Sequence, residues 1–317
     1  MSSIPGPAPA IDVRSLTKRF GMTVAVDALT FTVPLGSVTG FLGPNGAGKT
    51  TTMRMVLGLA HPTSGSARVL GRPYAELEHP MASVGAALET TGFHPGRTAG
   101  AHLRIVCVEG GLPVERVDPV LDRTGMTAFA GVKVGEYSLG MKQRLAFATA
   151  LLGEPRVLVL DEPANGLDPA GVAWLRGFLR RFADDGGAVL VSSHLLTEVA
   201  EVADRVVVID RGKLLAEDSV DALVQAGGES VVVRTPDPAG LRAALVPEGA
   251  TVEDRGDGAL AIRGMPIERV GELLAVHGVV LHELRRDRAT LEQAFLALTA
   301  PEMPPEMPPE MPTKMPR

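Results

Sequence analysis

The segment GPNGAGKT, residues 43–50, has the residue types and spacing of a loop that binds a polyphosphate. Its glycines let the backbone wrap a phosphate with the N–H groups pointing inward. Lys49 is predicted to reach the β- and γ-phosphates of a nucleotide, and the hydroxyl of Thr50 to bind Mg²⁺. The predicted nucleotide contacts are nine consecutive residues: Gly43, Pro44, Asn45, Gly46, Ala47, Gly48, Lys49, Thr50 and Thr51.

A pair of acidic residues at 161–162 follows the apolar run VLVL. Such a run predicts a buried strand, and open α/β sheets bind ligands at the carboxyl ends of their strands. Asp161 is therefore predicted to hold Mg²⁺, through a water molecule. Glu162 is predicted to orient or deprotonate the water that attacks the γ-phosphate. Together with the phosphate loop, this pair predicts hydrolysis of a nucleoside triphosphate.

Two further apolar runs, VGAAL and AVLVSS, are each followed by an ionisable residue. The second leads to His194, at the same predicted edge of the sheet as Asp161. A lone histidine is more often structural, but this position favours a catalytic role. The first leads to Glu89, which is either a simple strand terminus or a member of the same site.

The elements that must position these residues alternate between strand and helix, which predicts an α/β fold with a parallel sheet. The strand SVTGFLG precedes the phosphate loop, and a helical run over Thr50–Leu59 follows it. We predict a flexible N-terminus over residues 1–10 and a nucleotide-binding domain over 11–224. Strand signals vanish between about 98 and 152, where we predict an inserted helical subdomain.

The order of the elements changes after QAGG at 225–228. Strand, helix, strand, strand, helix and strand then follow one another, which predicts a small ferredoxin-like α+β domain over 228–299. The repeat PEMPPEMPPEMP predicts a disordered tail over 300–317, because proline at this density prevents helix and sheet. A docking ligand is the alternative interpretation of the repeat.

The composition limits the classes of function. The chain has 317 residues, 45% of them hydrophobic, with a formal net charge of −6. This charge and the lack of a long basic stripe argue against binding of nucleic acid. Cys107 is the only cysteine, which excludes an intramolecular disulfide and fits a reducing cytoplasm. We expect no signal peptide and no apolar run near the ~18 residues that span a bilayer, so a membrane role would need a partner.

The motifs GPNGAGKT, YSLGMKQRLAFATALL, VLVLDEP, NGLDP and SSH, in this order, resemble the nucleotide-binding domain of ABC transporters over about residues 11–224. The resemblance implies the fold class: α/β, an ABC-type domain with a P-loop and an inserted helical subdomain, followed by the small α+β domain. It implies an ATP hydrolase that needs Mg²⁺. It also implies a head-to-tail homodimer with two ATP molecules, each between the phosphate loop of one subunit and a signature segment of the other.

The signature segment of this family is commonly LSGGQ, and YSLGMKQR stands at its place. Ser138 and Gly140 match the common form, whereas Tyr137, Leu139 and Met141 depart from it. In the family this segment begins a helix and contacts the γ-phosphate across the dimer. A serine hydroxyl, backbone N–H groups and a helix N-terminus suit that contact, and the departures leave all three in place.

Four further roles follow from the resemblance. Asp168 of GLDP matches the D-loop that communicates across the dimer. Phe20 is similar to the aromatic residue that stacks on adenine, with an ordinary core phenylalanine as the alternative, and Val26 is predicted beside the base. Glu89 stands where most of the family carries a glutamine that contacts Mg²⁺ or the attacking water.

The charge of Glu89 decides how it would act. An uncompensated carboxylate at about 4 Å from a phosphate would oppose binding by roughly 4 kcal/mol, whereas one that faces Mg²⁺ would favour binding. We therefore predict that Glu89 acts through the metal or the water, and that it contributes to both the metal site and catalysis.

Within the family, the signature, the LEQAFLALT ending and the small C-terminal domain are most similar to ATPase subunits of drug and peptide-antibiotic exporters, of the bacitracin-resistance, lantibiotic-immunity and daunorubicin types. The resemblance implies a separate multi-span membrane permease as partner, at the cytoplasmic face of the cell membrane. The alternative is a soluble ABC ATPase in translation or DNA repair, although such chains usually carry two nucleotide-binding domains. A kinase with the same phosphate loop is disfavoured by the signature and by the histidine strand.

Overall fold

Residues 8–88, 92–193, 196–226, 229–256, 258–288 and 290–299 are the part of the chain that the computed structural model describes. Glu89, His194 and the repeat tail over 300–317 lie outside these ranges, as does most of the predicted flexible N-terminus. The predictions made for them stay predictions.

Most of the elements up to residue 88 are strands. In chain order the elements are β1 (Ile11–Phe20), β2 (Thr23–Val33), β3 (Ser37–Leu42), α1 (Lys49–Val56), β4 (Ser64–Val69), α2 (Pro80–Ser83) and β5 (Val84–Ala87). Strand β1 pairs antiparallel with both β2 and β4. Apolar side chains of this sheet, among them Val13 and Phe31, pack with Phe41 of β3 and Met53 of α1 in one buried cluster. This antiparallel layer covers the phosphate-loop strand and its helix.

Helix α1 is shorter than the predicted run over Thr50–Leu59. Gly58 has a φ of 67°, in the left-handed region that ends helices and that glycine enters without a steric penalty. The helix therefore ends at Val56, and the N–H of Leu57 closes the last turn on the carbonyl of Met53 at 3.0 Å.

Between β5 and the next strand the longer elements are helices: α3 (Ala99–Glu109), α4 (Val117–Arg123) and α5 (Leu139–Leu151). Thr98 and Ser138 cap α3 and α5, each by accepting a backbone N–H with its side-chain oxygen at 3.2 Å. Cys107 is buried in the core of these helices, and burial raises the pKa of its thiol. The helices lie where the sequence predicts a helical subdomain; its boundaries stay a prediction.

The central sheet is completed by the next stretch, whose elements are β6 (Val157–Leu160), α6 (Pro169–Asp184), β7 (Ala188–Ser192), α7 (Leu196–Ala200), β8 (Arg205–Asp210), β9 (Lys213–Ser219) and α8 (Val220–Ala226). Its strand order is β5-β6-β7-β3-β8-β9, parallel except for β9, which runs antiparallel to β8. All residues of β3, β6 and β7 are buried, because apolar layers cover both faces of the sheet. Strands β6, β7 and β3 are neighbours, so their carboxyl ends meet at one edge.

A second, smaller sheet follows, from β10 (Glu229–Arg234), α9 (Pro238–Leu245), β11 (Thr251–Asp254), β12 (Leu260–Arg263), α10 (Ile267–Val276) and β13 (Glu283–Arg288). Its order is β11-β12-β10-β13 with antiparallel pairing, which is the ferredoxin-like arrangement predicted from the sequence. Val231, Val233 and Ile262 pack against Leu241 and Leu274 of the two helices.

The last described helix, α11 (Leu291–Thr299), packs away from the small sheet. Leu291 and Phe295 share an apolar cluster with Leu223 of α8 and with Leu42, the residue before the phosphate loop. The sequence places this helix in the small domain, but its apolar side joins the nucleotide-binding part. Within the described ranges, no helix is long and apolar enough to cross a membrane.

Candidate nucleotide site

The loop between β3 and α1 has a backbone that only glycine can follow at two positions. A Cβ on Gly43 would lie 2.4 Å from the carbonyl oxygen of Ile209, and a Cβ on Gly48 would lie 2.5 Å from that of Ala25. Gly48 also has a φ of 103° and stands immediately before α1. The loop therefore packs closely against the end of β8 and against β2. Its N–H groups lie at the N-terminal, positive end of α1.

Lys49 is buried, with 8% of its surface exposed. Its ammonium donates hydrogen bonds to the carbonyl oxygens of Gly43 at 2.6 Å and Pro44 at 3.3 Å. The charge is therefore held inside the curve of the loop, where a phosphate chain would lie.

Asp161 follows β6 at the same edge of the sheet and is 1% exposed. The hydroxyl of Thr50 donates to one of its carboxylate oxygens at 2.6 Å, and the hydroxyl of Ser192 donates to the other at 2.5 Å. The carboxylate thus joins the phosphate loop to strand β7.

The side-chain oxygens of Thr50 and Asp161 are suited to a Mg²⁺ site. Mg²⁺ prefers oxygen ligands and is usually held by one or two protein groups together with phosphate oxygens and water. While its hydrogen is donated to Asp161, the Thr50 oxygen keeps a lone pair for a cation. Asp161 is then placed to accept hydrogen bonds from water on the metal.

Glu162 has a φ of 49°, which is uncommon for a residue with a side chain. Its N–H donates to the hydroxyl of Ser192 at 2.9 Å, and its carbonyl oxygen accepts from the Gln143 amide at 3.5 Å. This turn directs the chain out of the sheet edge directly after Asp161, and Glu162 lies on the wall of the cavity described next.

A cavity of about 460 Å³ connects these groups. Its walls include the loop residues from Asn45 to Thr51, together with Ala25, Asp161, Glu162 and Asn165. Ala25 and Asn165 were not predicted as site residues: alanine has no polar group, and Asn165 was noted only as part of the motif NGLDP. Ser192 was missed too: it stands two residues before the predicted His194, and only the pairing of β7 with β6 shows what it touches.

The two residues predicted around the base lie in different environments. Phe20 ends β1 with 57% of its surface exposed, and the Lys18 ammonium lies 5.0 Å from its ring centroid. It is therefore not an ordinary core phenylalanine. Val26 is fully buried, and its side chain lies 3.3 Å from where a Cβ on Gly48 would stand. Val26 packs against the loop, and its neighbour Ala25 lines the cavity. The predicted position of Val26 beside the base stays a prediction.

The predicted signature residues stand at the start of α5, not on the wall of this cavity. Ser138 is exposed, and Leu139 has 62% of its surface exposed. Met141 is half-buried against the helical core. A Cβ on Gly140 would lie 2.8 Å from the carbonyl oxygen of Gly166, so the signature packs closely on the chain that follows Glu162.

Asp168 of the predicted D-loop caps helix α6, where its carboxylate accepts the N–H of Gly171 at 2.7 Å. Pro169 at the first helical position completes the usual start of a helix. The carboxylate is exposed at the surface, on the segment that carries Gly166 against the signature.

Comparison with known proteins gives two matched stretches. A family model described as ABC transporter matches residues 26–165, and one described as a domain of unknown function (DUF8746) matches residues 229–292, ending at the start of α11. The chain is 41% identical over 216 residues to the bacitracin transport ATP-binding protein BcrA of Enterococcus faecalis, which covers 67% of this chain and 70% of that protein. It is 37% identical over 306 residues to the Nod factor export ATP-binding protein I of Burkholderia lata, which covers 94% of this chain and 99% of that protein.

The fold has a counterpart among solved structures. An ATP binding subunit of an ABC transporter superposes with a TM-score of 0.63 at 26% identity, over 68% of this chain and 92% of the other. These matches confirm the predicted fold class and the family resemblance. The chain belongs to the ATP-binding proteins of ABC transporters, a family of ATP hydrolases.

Proposed function

We propose that this chain powers an exporter by hydrolysing ATP with Mg²⁺, and that it acts through a separate membrane permease. The observation that carries the proposal is the convergence of Lys49, Thr50, Asp161 and Glu162 on one cavity at the carboxyl edge of the sheet. That edge supplies a cation for the phosphates, oxygen ligands for the metal and a carboxylate for the attacking water. We place the chain at the cytoplasmic face of the membrane, bound to the permease.

For the cargo, we propose a drug or a peptide antibiotic. The name of the relative at 41% identity refers to bacitracin transport, and the name of the relative that matches nearly the whole chain refers to export of Nod factor. Both names refer to transport or export, and the higher identity favours the antibiotic.

We also propose that two copies of the chain assemble head to tail around two ATP molecules. The exposed start of α5 supports this assembly, because a helix N-terminus with a serine hydroxyl and an exposed Leu139 is suited to contact a phosphate and an apolar surface of a second subunit. Ser138 keeps its hydrogen for such a contact, since it uses a lone pair to accept the N–H of Met141. Asp168 would lie in the same interface.

Replacing Ser138 with aspartate separates its two roles. Aspartate caps helices as well as serine does, so we expect the melting temperature to change by only a few degrees. Its charge would face the γ-phosphate of the other subunit's ATP, and we expect ATPase activity to fall at least about 10-fold. The matched control is Thr98→Asp, which makes the same change at the cap of α3. The cap hydrogen bonds of Thr98 and Ser138 are both 3.2 Å long, and we expect Thr98→Asp to keep full activity. Full activity of Ser138→Asp would leave Ser138 as a helix cap alone.

Replacing Phe20 with alanine should weaken ATP binding about 5- to 150-fold, the equivalent of about 1–3 kcal/mol of stacking on a base. The free energy of unfolding should change little, because the ring is largely exposed. Phe20→Tyr should bind as the wild type does. Phe129→Ala, at a phenylalanine with 41% exposure in the helical segment, is the control for loss of an exposed ring. Calorimetric titration that gives equal affinities for Phe20→Ala and the wild type would contradict stacking.

Glu89 and His194 lie outside the described residues, and their catalytic roles stay proposals. ATP titration of Glu89→Gln with and without Mg²⁺ tests the first: if Glu89 acts through the metal, the variant should bind ATP more weakly than the wild type with Mg²⁺ and no more weakly without it, where the carboxylate is uncompensated.

The function as a whole is tested first by whether a neighbouring reading frame encodes a multi-span membrane protein, and then by co-expression of the two proteins. We expect the two to co-purify from membranes, and we expect a cyclic peptide antibiotic such as bacitracin to stimulate the ATPase activity of the complex. A variant complex with Lys49→Ala provides the background rate. Purification of the chain with ribosomes or DNA, and no change of its ATPase on addition of the membrane protein, would support the alternative role in translation or repair.

A further inference from the structure

The hydroxyl of Ser192 lies between the two acidic residues of the site. Ser192 is the last residue of β7, and its surface is fully buried. Its oxygen is 2.5 Å from a carboxylate oxygen of Asp161 and 2.9 Å from the backbone nitrogen of Glu162. One side chain on β7 thus contacts two consecutive residues at the end of β6.

The direction of both hydrogen bonds is determined by chemistry. The N–H of Glu162 can only donate, so the Ser192 oxygen accepts there. The single hydroxyl hydrogen of Ser192 is then left for Asp161. Asp161 receives a second hydroxyl hydrogen, from Thr50 at 2.6 Å on its other oxygen. Each carboxylate oxygen of Asp161 therefore accepts one hydroxyl hydrogen, which fixes the plane of the carboxylate.

The hydrogen bond that Ser192 accepts from the Glu162 N–H supports the turn at Glu162. A φ of 49° is unfavourable for a residue with a side chain, and such a conformation persists only where its surroundings enforce it. The bond from the Glu162 N–H to Ser192 is one such constraint. If Ser192 were alanine, that N–H and the Asp161 oxygen would each lose this partner at the buried end of the sheet.

We propose that Ser192 is a positioning residue for ATP hydrolysis: it orients the Asp161 carboxylate for Mg²⁺ and holds the turn that places Glu162 in the cavity. The inference rests on the proposed roles of Asp161 and Glu162. Ser192 does not line the nucleotide cavity, so it would act through the Asp161 carboxylate and the Glu162 backbone that it contacts. Residues that orient metal ligands from behind are typically worth about 10- to 100-fold in metal affinity or activity.

A buried serine also contributes to stability, so the test needs a control that loses a similar bond elsewhere. Ser37 provides it: it begins the neighbouring strand β3 at the opposite edge of the sheet, is 7% exposed, and donates to the carbonyl of Pro34 at 3.0 Å. Ser37→Ala therefore removes a buried serine hydrogen bond far from both carboxylates. Ser192→Thr retains the hydroxyl and tests for rescue.

The experiment measures three quantities for the wild type, Ser192→Ala, Ser192→Thr and Ser37→Ala: the turnover number for ATP, the Mg²⁺ concentration at half-maximal rate, and the melting temperature with ATP in Mg²⁺ or in EDTA. We expect Ser192→Ala to lower the turnover number about 10- to 100-fold and to need several-fold more Mg²⁺. The Michaelis constant for ATP should stay within about threefold, because the phosphate loop is unchanged. The gain in melting temperature that the wild type shows on adding Mg²⁺ to ATP should shrink in Ser192→Ala and persist in Ser37→Ala.

Ser192→Thr should recover most of the turnover. Equal values for Ser192→Ala and Ser37→Ala in turnover and in the Mg²⁺-dependent gain would overturn the proposal and leave Ser192 as a structural link between strands. The melting temperatures report the effect of Ser192 on Mg²⁺-dependent ATP binding even if the chain does not power transport. They therefore test this inference independently of the proposed exporter function. Loss of ATP binding in the wild type would instead contradict the proposed site as a whole.

Discussion

Glu162→Gln is expected to lower the turnover number for ATP by about 100-fold or more and to leave ATP affinity within a few-fold of the wild type. Glutamine has the size of glutamate and can still orient a water molecule through its oxygen, but it cannot take up the proton of that water. General bases contribute about 10²–10⁴-fold to rates. Affinity should be retained, because the predicted phosphate contacts belong to the loop at 43–51, whereas Glu162 lines the same cavity from outside that loop. Single-turnover rates and equilibrium titration measure the two effects separately.

Glu154→Gln is a close control for this substitution. Glu154 also has a left-handed φ, of 52°, and lies before β6, whereas Glu162 follows it. Its carboxylate pairs with Arg116 at 3.3 Å and does not line the nucleotide cavity. We expect Glu154→Gln to keep full turnover. A Glu162→Gln protein with a turnover within about threefold of the wild type would show that another group activates the water.

The sequence was sufficient for the parts of the site that rest on local chemistry. Glycines, a lysine and a threonine at fixed spacing specify the phosphate loop, because the backbone can wrap a phosphate only where side chains are absent. The apolar run before Asp161 likewise predicted its strand, and parallel pairing then carried Asp161 to the same edge as Thr50, where their side chains meet at 2.6 Å. The ferredoxin-like order of the small domain was also predicted from its alternating elements.

What the sequence did not show depends on contacts between distant segments. Ser192 was noted only within the motif SSH, and Ala25 has no polar group, so their contacts follow from strand pairing that no local pattern encodes. Val26 illustrates the same limit: its residue type did not show that its side chain is buried while the neighbouring Ala25 lines the cavity. Helix α11 is a third case, since a helix was predicted for this segment but the sequence could not specify which core receives Leu291.

Lys49→Ala is expected to lower ATP affinity at least about 100-fold, the largest effect on binding that the structure predicts. A buried ammonium about 4 Å from a phosphate charge contributes roughly 4 kcal/mol at an effective dielectric constant near 20, and about 1.4 kcal/mol corresponds to a tenfold change. The same ammonium holds the carbonyl oxygens of Gly43 and Pro44. Because alanine removes both the charge and this contact, Lys49→Met, which keeps most of the length of the side chain, is needed beside it.

The affinities of the Lys49 variants for ATP and for adenosine distinguish loss of the phosphate interaction from distortion of the loop. If the charge acts on the phosphates, Lys49→Met and Lys49→Ala should both bind ATP poorly and should bind adenosine as the wild type does, since Phe20 and Ala25 are unchanged. The control Lys133→Met, at an exposed lysine in the helical segment, should bind both ligands normally. Equal weakening for ATP and adenosine, together with a lower melting temperature, would show that Lys49 maintains the shape of the loop and that the phosphates are bound mainly by backbone N–H groups and the start of α1.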